Sequence, residues 1–264
     1  SRSTRPSSGP MLRNILLFLS EQPHLRRWME TSSLAGGLTR RFVAGQTLER
    51  ELDVCRRLNR DGFLVSVDHL GEKVTSADEA RASLDAYLEA LRSIAAAGLQ
   101  ASLSIKLSQF GLELSEEQCR RNVETLVRAA RGVDGRIEVD MEAHSSVDRN
   151  LELVAAMHQA HGRVRAVIQA YLYRSEADIE RLSALGLPIL LCKGAYREPP
   201  SVAFPRKPEV DANYKRLSEI LLERGVYPAL ATHDEAMIQA TLNYARRHEI
   251  PAEAFEFPML SGIR

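Results

Sequence analysis

Short apolar runs alternate with longer amphipathic segments from about residue 60 to the end of this chain, and that rhythm restricts the fold more than any other feature. The runs fall at residues 64–67, 101–107, 136–141, 165–170, 188–193, 227–231 and 255–259, and read as buried strands. Helical periodicity marks 77–96, 116–130, 146–161, 176–185, 211–224 and 235–248 between them. Ser115, ahead of Glu116 and Gln118, has the composition of a helix start. Gly98, Gly186 and Gly225 close helices where a left-handed cap favours glycine. A strict strand–helix alternation implies parallel strands joined by right-handed crossovers. Repeated this often, it favours an eight-stranded barrel over an open doubly wound sheet, and no Gly-x-Gly-x-x-Gly follows a strand. Seven strands precede Arg264. The expected fold is therefore α/β, a (β/α)8 TIM-type barrel lacking its eighth strand and last helix, with extra N-terminal helices.

Residues 1–10, rich in Ser, Pro and Arg, read as a tail, with Met11 as a candidate start. Residues 11–60 read as an N-terminal helical segment, with periodicity at 13–29 (interrupted at Pro23) and at 47–59 (Leu48, Leu52, Cys55, Leu58). Residues 61–264 form the barrel domain. Thirty-five basic and 35 acidic side chains cancel, which argues against a nucleic-acid partner or a strongly basic membrane-binding surface. No apolar run approaches the roughly 20 residues of a membrane span. Cys55, Cys119 and Cys192 are odd in number and scattered, which disfavours a disulfide framework and suits a reducing cytoplasm. No pair of histidines or cysteines has metal-ligand spacing, so no metal site is expected.

In a (β/α) barrel the chemistry gathers at the carboxyl ends of the strands. The ends here read Asp68-His69; Lys106; Asp140-Met141-Glu142 followed by His144; Gln169-Ala170-Tyr171; Lys193-Gly194-Ala195-Tyr196; Thr232-His233-Asp234; and Glu256. Each has an ordinary explanation. Lys106 could snorkel from an outer face, Asp140 and Glu142 could cap a helix, His233 could be a structural hydrogen-bonder, and Tyr171 and Tyr173 could simply pack. Cys192, after Leu190 and Leu191, reads as core. Together they are harder to dismiss, because polar groups at nearly every strand end are costly to bury unless a ligand or one another satisfies them. Lys193 beside Gly194 and Ala195 puts a cation where a phosphate or ring edge could approach the backbone, and Gln169 offers a donor and an acceptor. Two enzyme classes remain open: a Schiff-base lyase using Lys106 or Lys193, and an enzyme whose barrel mouth holds a large polar cofactor.

Eight motifs, in order, resemble the proline dehydrogenase family. They are Arg41-Phe42-Val43-Ala44-Gly45, Val67-Asp68-His69-Leu70-Gly71-Glu72, Ser104-Ile105-Lys106-Leu107-Ser108, Asp140-Met141-Glu142, Gln169-Ala170-Tyr171-Leu172-Tyr173-Arg174, Lys193-Gly194-Ala195-Tyr196, Ala231-Thr232-His233-Asp234 and Phe255-Glu256-Phe257. The resemblance runs from about Arg40 to the end. It implies a distorted (βα)8 barrel that uses FAD to oxidise L-proline to Δ1-pyrroline-5-carboxylate. Hydride passes from the ring carbon beside nitrogen to flavin N5, and electrons go on to a quinone at the membrane surface. With the cysteine usage, the expected location is the cytoplasm, with peripheral association at the membrane. By the same resemblance Lys106 and Asp140 are catalytic and lie against the substrate, with Asp140 orienting Lys106 as an ion pair. Tyr196 flanks the substrate, and Met141, Gln169, Lys193, Gly194, Ala195, Thr232 and His233 contact FAD. The chain departs from the pattern at Leu190, where the family usually keeps an arginine near flavin N5. It departs again at Pro258 and Ser261, in place of glutamine and tyrosine. Members also continue into an eighth strand and a helix whose paired arginines bind the proline carboxylate. These departures make a non-catalytic or regulatory homologue the alternative.

Overall fold

A computed structural model of the chain describes residues 47–68, 71 and 73–260. The tail, the periodic segment at 13–29, the motif at 41–45, His69, Leu70, Glu72 and Ser261 lie outside the described residues. The elements run α1 (Leu48–Arg60), β1 (Val65–Asp68), α2 (Ala77–Ala96), β2 (Ala101–Ile105), α3 (Glu116–Gly132), β3 (Ile137–Val139), α4 (Val147–His161), β4 (Val164–Gln169), α5 (Ser175–Ala184), β5 (Ile189–Cys192), α6 (Lys207–Arg224), β6 (Ala229–Leu230) and α7 (Glu235–Arg247). All six strands are parallel, and their spatial order follows the chain, β1-β2-β3-β4-β5-β6. A doubly wound sheet must reverse its order at a switch point. With no reversal and crossovers of one hand, the helices fall on one face and the sheet curls toward a barrel. Residues Leu52–Met259 make one folded unit.

Strand parity then assigns two faces. Leu103, Ile105, Ile137, Val139, Ala166, Ile168, Ile189, Leu191 and Leu230 are at most 2% exposed and form the face against the helices. Burying each of the leucine, isoleucine and valine side chains contributes roughly 1.5–3 kcal/mol. The alternate residues face the barrel axis, and most are polar: Ser66 and Asp68, Ser102 and Ser104, Glu138, Arg165 and Gln169, in a register that pairs Asp68 with Ser104, Ser104 with Glu138, and Glu138 with Arg165. Leu190 and Cys192 share this inward face, opposite Val167 and Gln169.

A buried ion layer sits below the strand ends. Arg165, 1% exposed, lies against Glu256 and 3.5 Å from Glu138, whose carboxylate also accepts from Ser102 Oγ at 2.9 Å. The Tyr227 ring lies 5.9 Å from the guanidinium. Burial pushes the Glu138 carboxyl up, against the pull of Arg165 and of the Ser102 hydrogen bond. Glu256, read from sequence as a strand-end candidate, belongs to this layer.

Local chemistry accounts for the element ends. Ser115 caps α3, its Oγ accepting from Gln118 N at 3.3 Å. Helix α6 starts four residues before the expected 211 because Pro208 is tolerated in a first turn and Glu209 accepts from the Arg206 backbone at 3.2 Å. The expected strand at 255–259 shrinks to one parallel bridge, Ala229 to Glu256. Pro258, two residues on, has no N–H to continue the ladder. Gly98 and Gly186 have the left-handed backbone expected of caps, whereas Gly225 is extended at φ −77°. Glycine is required at 225 for a different reason: a Cβ there would sit 2.5 Å from Leu221 O.

Candidate active site

Three adjacent strand ends build the first cluster. Lys106 follows β2 in extended backbone (φ −109°), ahead of the 3-10 turn Leu107–Phe110, so it keeps the inward parity of Ser102 and Ser104. Its ammonium donates to Asp68 Oδ2 at 2.7 Å, at the end of β1, and lies 3.2 Å from Asp140 Oδ2, just past β3. Asp140 is fixed independently. Its Oδ1 accepts from Ser104 Oγ at 2.7 Å, its N–H donates to Ile105 O at 2.8 Å, and its carbonyl accepts from Asn150 Nδ2 at 2.9 Å. Partial burial of Lys106 favours loss of its proton, but the Asp68 hydrogen bond and the charges of Asp140 and Asp68 outweigh it. The amine is held above its ordinary range, so it stays an ammonium. Two carboxylates around one ammonium leave the cluster one negative charge in excess.

The second cluster lies past β5 and β6. Lys193 donates to Asp211 of α6 and, at 2.8 Å, to Asp234 Oδ2 at the N-cap of α7. Lys207 reaches the same two carboxylates, lying 3.2 Å from Asp234 Oδ2. The hydrogen bond from Lys193 holds the Asp234 carboxyl far below the usual range. The Asp211 carboxyl is lowered as well: burial acts against this, but its lysine partners prevail. Thr232, 8% exposed, accepts from the Asp234 N–H at 3.0 Å, which fixes the turn carrying Thr232 and His233.

Gln169 lies between the clusters on β4, 2% exposed, with Nε2 donating to Glu142 O at 2.9 Å and reaching Met141 O at 3.5 Å. It thereby anchors the backbone on which Asp140 and Met141 sit. Glu142 accepts from Ser108 N at 3.0 Å, and Glu198 accepts from His144 N at 2.7 Å, tying the loops after β2, β3 and β5 together. Gly194 has φ +106°, and a Cβ there would lie 2.4 Å from the Tyr171 ring. Its smallness therefore serves first to seat that ring. Ala195 and Tyr196 are exposed beyond it. Partial burial and the Glu142 charge push the Tyr196 phenol up; Lys106 opposes, and the charges of Asp140 and Asp68 add. Burial pushes the Cys192 thiol up to about 12, in keeping with an inert interior residue.

The structure thus brings Lys106 and Asp140 together, leaves Tyr196 exposed on the loop after β5, sets Lys193 among carboxylates beside Thr232, and ties the Gln169 side chain to the Met141 and Glu142 carbonyls. The site reading from sequence left Asp68, Ser104, Asn150 and Asp211 without roles. Asp68 and Ser104 had a usable signal, since both stand in the motifs quoted for those strands. Asp211 had only its spacing of four residues from Lys207.

Comparison with known proteins resolves the family. The proline dehydrogenase family model matches residues 52–264. Proline dehydrogenase 1 of Bacillus subtilis (strain 168) is 38% identical over 254 residues, covering 96% of this chain and 84% of the relative. The chain belongs to the proline dehydrogenase family. Among other family relatives, the proline dehydrogenase of Deinococcus radiodurans is 36% identical over 259 residues, covering 96% of this chain and 83% of its own length. The crystal structure of proline utilization A from Bdellovibrio bacteriovorus, inactivated by N-propargylglycine, superposes with a TM-score of 0.80 at 25% identity. It covers 87% of this chain, which spans 30% of that longer one. These likenesses place the six-stranded sheet in the family's barrel fold and agree with the motifs at the strand ends.

Proposed function

We propose that this chain oxidises L-proline to Δ1-pyrroline-5-carboxylate, the first step of proline catabolism, with FAD as hydride acceptor and a quinone as the next acceptor. The observation that carries the reading is the Lys106 ammonium fixed between Asp68 and Asp140 at adjacent strand ends. A zwitterionic amino acid offers one charge of each sign, and this cluster answers both. Lys106, with two N–H groups directed at carboxylates, keeps a third for the substrate carboxylate, and the excess negative charge draws the secondary ammonium. Ser104 and Asn150 keep Asp140 still while substrate exchanges, so orientation is set before binding. Tyr196 stands at the open side, where its ring would cover the substrate and exclude water.

The donor set opposite suits a flavin. Gln169, Thr232, His233 and Lys193 present donors and acceptors of both kinds, with the backbone of Met141, Gly194 and Ala195 between them, as a heterocycle with a polar edge requires. FAD, when bound, supplies the acceptor for the hydride leaving the ring carbon beside nitrogen. The chain's own contribution is placement and electrostatics.

A Schiff-base lyase is disfavoured by the same geometry. A nucleophilic lysine needs a depressed pKa, whereas Lys106 is raised, and Lys193 is bonded to two carboxylates. One observation favours the second reading, a non-catalytic homologue: Leu190, not arginine, faces the barrel axis between Val167 and Ala229. Among the described residues no helix is long and apolar enough to cross a membrane. The test is steady-state turnover of FAD-loaded protein with proline and a soluble quinone, trapping the pyrroline product. Pyrroline formation that is lost in Lys106→Ala supports the enzyme. Bound FAD with no pyrroline supports the non-catalytic reading.

A further inference from the structure

We infer that Asp211 and Asp234 are positioning residues that fix the Lys193 ammonium in one orientation and leave it a single N–H to offer a ligand at the barrel mouth. An ammonium has three donors. One goes to Asp211 Oδ1 and a second to Asp234 Oδ2 at 2.8 Å. The two carboxylates come from different elements, the second turn of α6 and the N-cap of α7, so β5, α6 and α7 together locate one nitrogen.

Both aspartates are themselves held. Asp234 Oδ1 accepts from Ala236 N at 3.1 Å, and its N–H donates to Thr232 Oγ1 at 3.0 Å. The Asp211 side chain is 19% exposed, and its Oδ2 takes the ammonium of Lys207, whose side chain is 70% exposed. Two ammoniums and two carboxylates cancel, so the site offers little net attraction for a phosphate. It suits a neutral acceptor, such as a ring carbonyl or ring nitrogen, which needs one well-aimed donor. A free lysine would lose rotamer freedom on binding such a group, whereas a lysine already held does not.

The clamp is read from the protein alone; its role in cofactor affinity rests on the flavin reading, and two measurements separate them. In the first, the apo-protein is acetylated competitively and each lysine followed by peptide mass spectrometry. Lys193 is expected to react at least tenfold more slowly than the exposed Lys215, and Asp211→Asn and Asp234→Asn each to speed it several-fold. Acetylation of Lys193 at the rate of Lys215, or no response to either variant, overturns the clamp whether or not flavin binds.

In the second, FAD is titrated into the same variants in the presence of Lys193 and in a Lys193→Met background. Asp211→Asn is expected to weaken FAD about tenfold with Lys193 present and less than twofold without it. An equal loss in both backgrounds means the aspartate acts independently of Lys193, which overturns the positioning role. A wild-type protein with a slow Lys193 and no affinity for FAD would keep the clamp and defeat the flavin reading. Asparagine preserves shape and an acceptor at both sites, and matching circular dichroism melts confirm that each variant folds.

Discussion

Replacing Arg165 with methionine isolates the ion layer on which the barrel interior rests. The side chain is 1% exposed, and methionine keeps most of its apolar stem, so lost packing contributes little. The cost comes from leaving Glu138 (8% exposed side chain) and Glu256 (23%) without their cation. Removing one partner of a buried pair typically costs about 3–5 kcal/mol. For Glu138 there is a ceiling, because the carboxyl can take up a proton. At 1.36 kcal/mol per pH unit from an ordinary carboxyl near 4.3, that escape costs at most about 3.7 kcal/mol at pH 7 and about 1 kcal/mol at pH 5. Burial already raises this carboxyl, and removing Arg165 takes away a pull that opposes the rise. A carboxyl raised in the folded state binds more protons there than in the unfolded state, so its stability contribution is present at low pH and lost as pH rises through the folded value. Arg165→Met should therefore cost about 3–4 kcal/mol at pH 7 and less than about 2 kcal/mol at pH 5. Urea unfolding of both proteins by far-ultraviolet circular dichroism at the two pH values measures it. A loss under about 1 kcal/mol at pH 7, or one that grows toward pH 5, would refute the reasoning.

Other perturbations address the strand ends. Asp68→Asn leaves Lys106 one carboxylate; with Asp68 37% exposed, the loss should be about 1 kcal/mol, roughly fivefold in kcat/KM for proline. Asp140→Asn breaks a better-held contact and should lose about thirtyfold or more; the reverse ranking in steady-state kinetics would mean that Asp68 is the principal partner. Gly194→Ala forces a Cβ to within 2.4 Å of the Tyr171 ring at a φ of +106°, so it should lower stability by about 2 kcal/mol and release FAD, and a variant that purifies with full flavin would contradict that packing. Leu190→Arg puts a cation on the inward face and should raise the midpoint potential of bound flavin; an unchanged potential in a spectroscopic redox titration would place residue 190 away from the ring.

The strand–helix order was legible because its signals are local. Period, caps such as Ser115 and turn glycines all act within a few residues, and α2 lies at the expected 77–96. The lysines and acids at the strand ends were legible too, since the carboxyl ends of parallel strands are where loops gather such groups in a barrel. Their pairing was less so. Asp68 and Asp140 flank Lys106 from either side, and strand composition does not reveal that Asp68 is the nearer. Arg165 and Glu256 are 91 residues apart, and only the curl of the sheet makes them neighbours. Asp211 looked like an ordinary helix residue because its task depends on where α6 crosses the end of β5. The seventh strand was over-read because apolar and aromatic content at 255–259 gave no weight to the donor that Pro258 lacks.

The central claim, that the Lys106–Asp68–Asp140 cluster presents proline to a bound flavin, meets its most direct test in anaerobic titration of the FAD-loaded chain with L-proline, followed at the flavin's visible absorbance. Bleaching that saturates with proline in the wild type, and in Lys106→Ala demands far higher proline or fails, is the predicted result. A visible spectrum that proline leaves unchanged while FAD stays bound would contradict it.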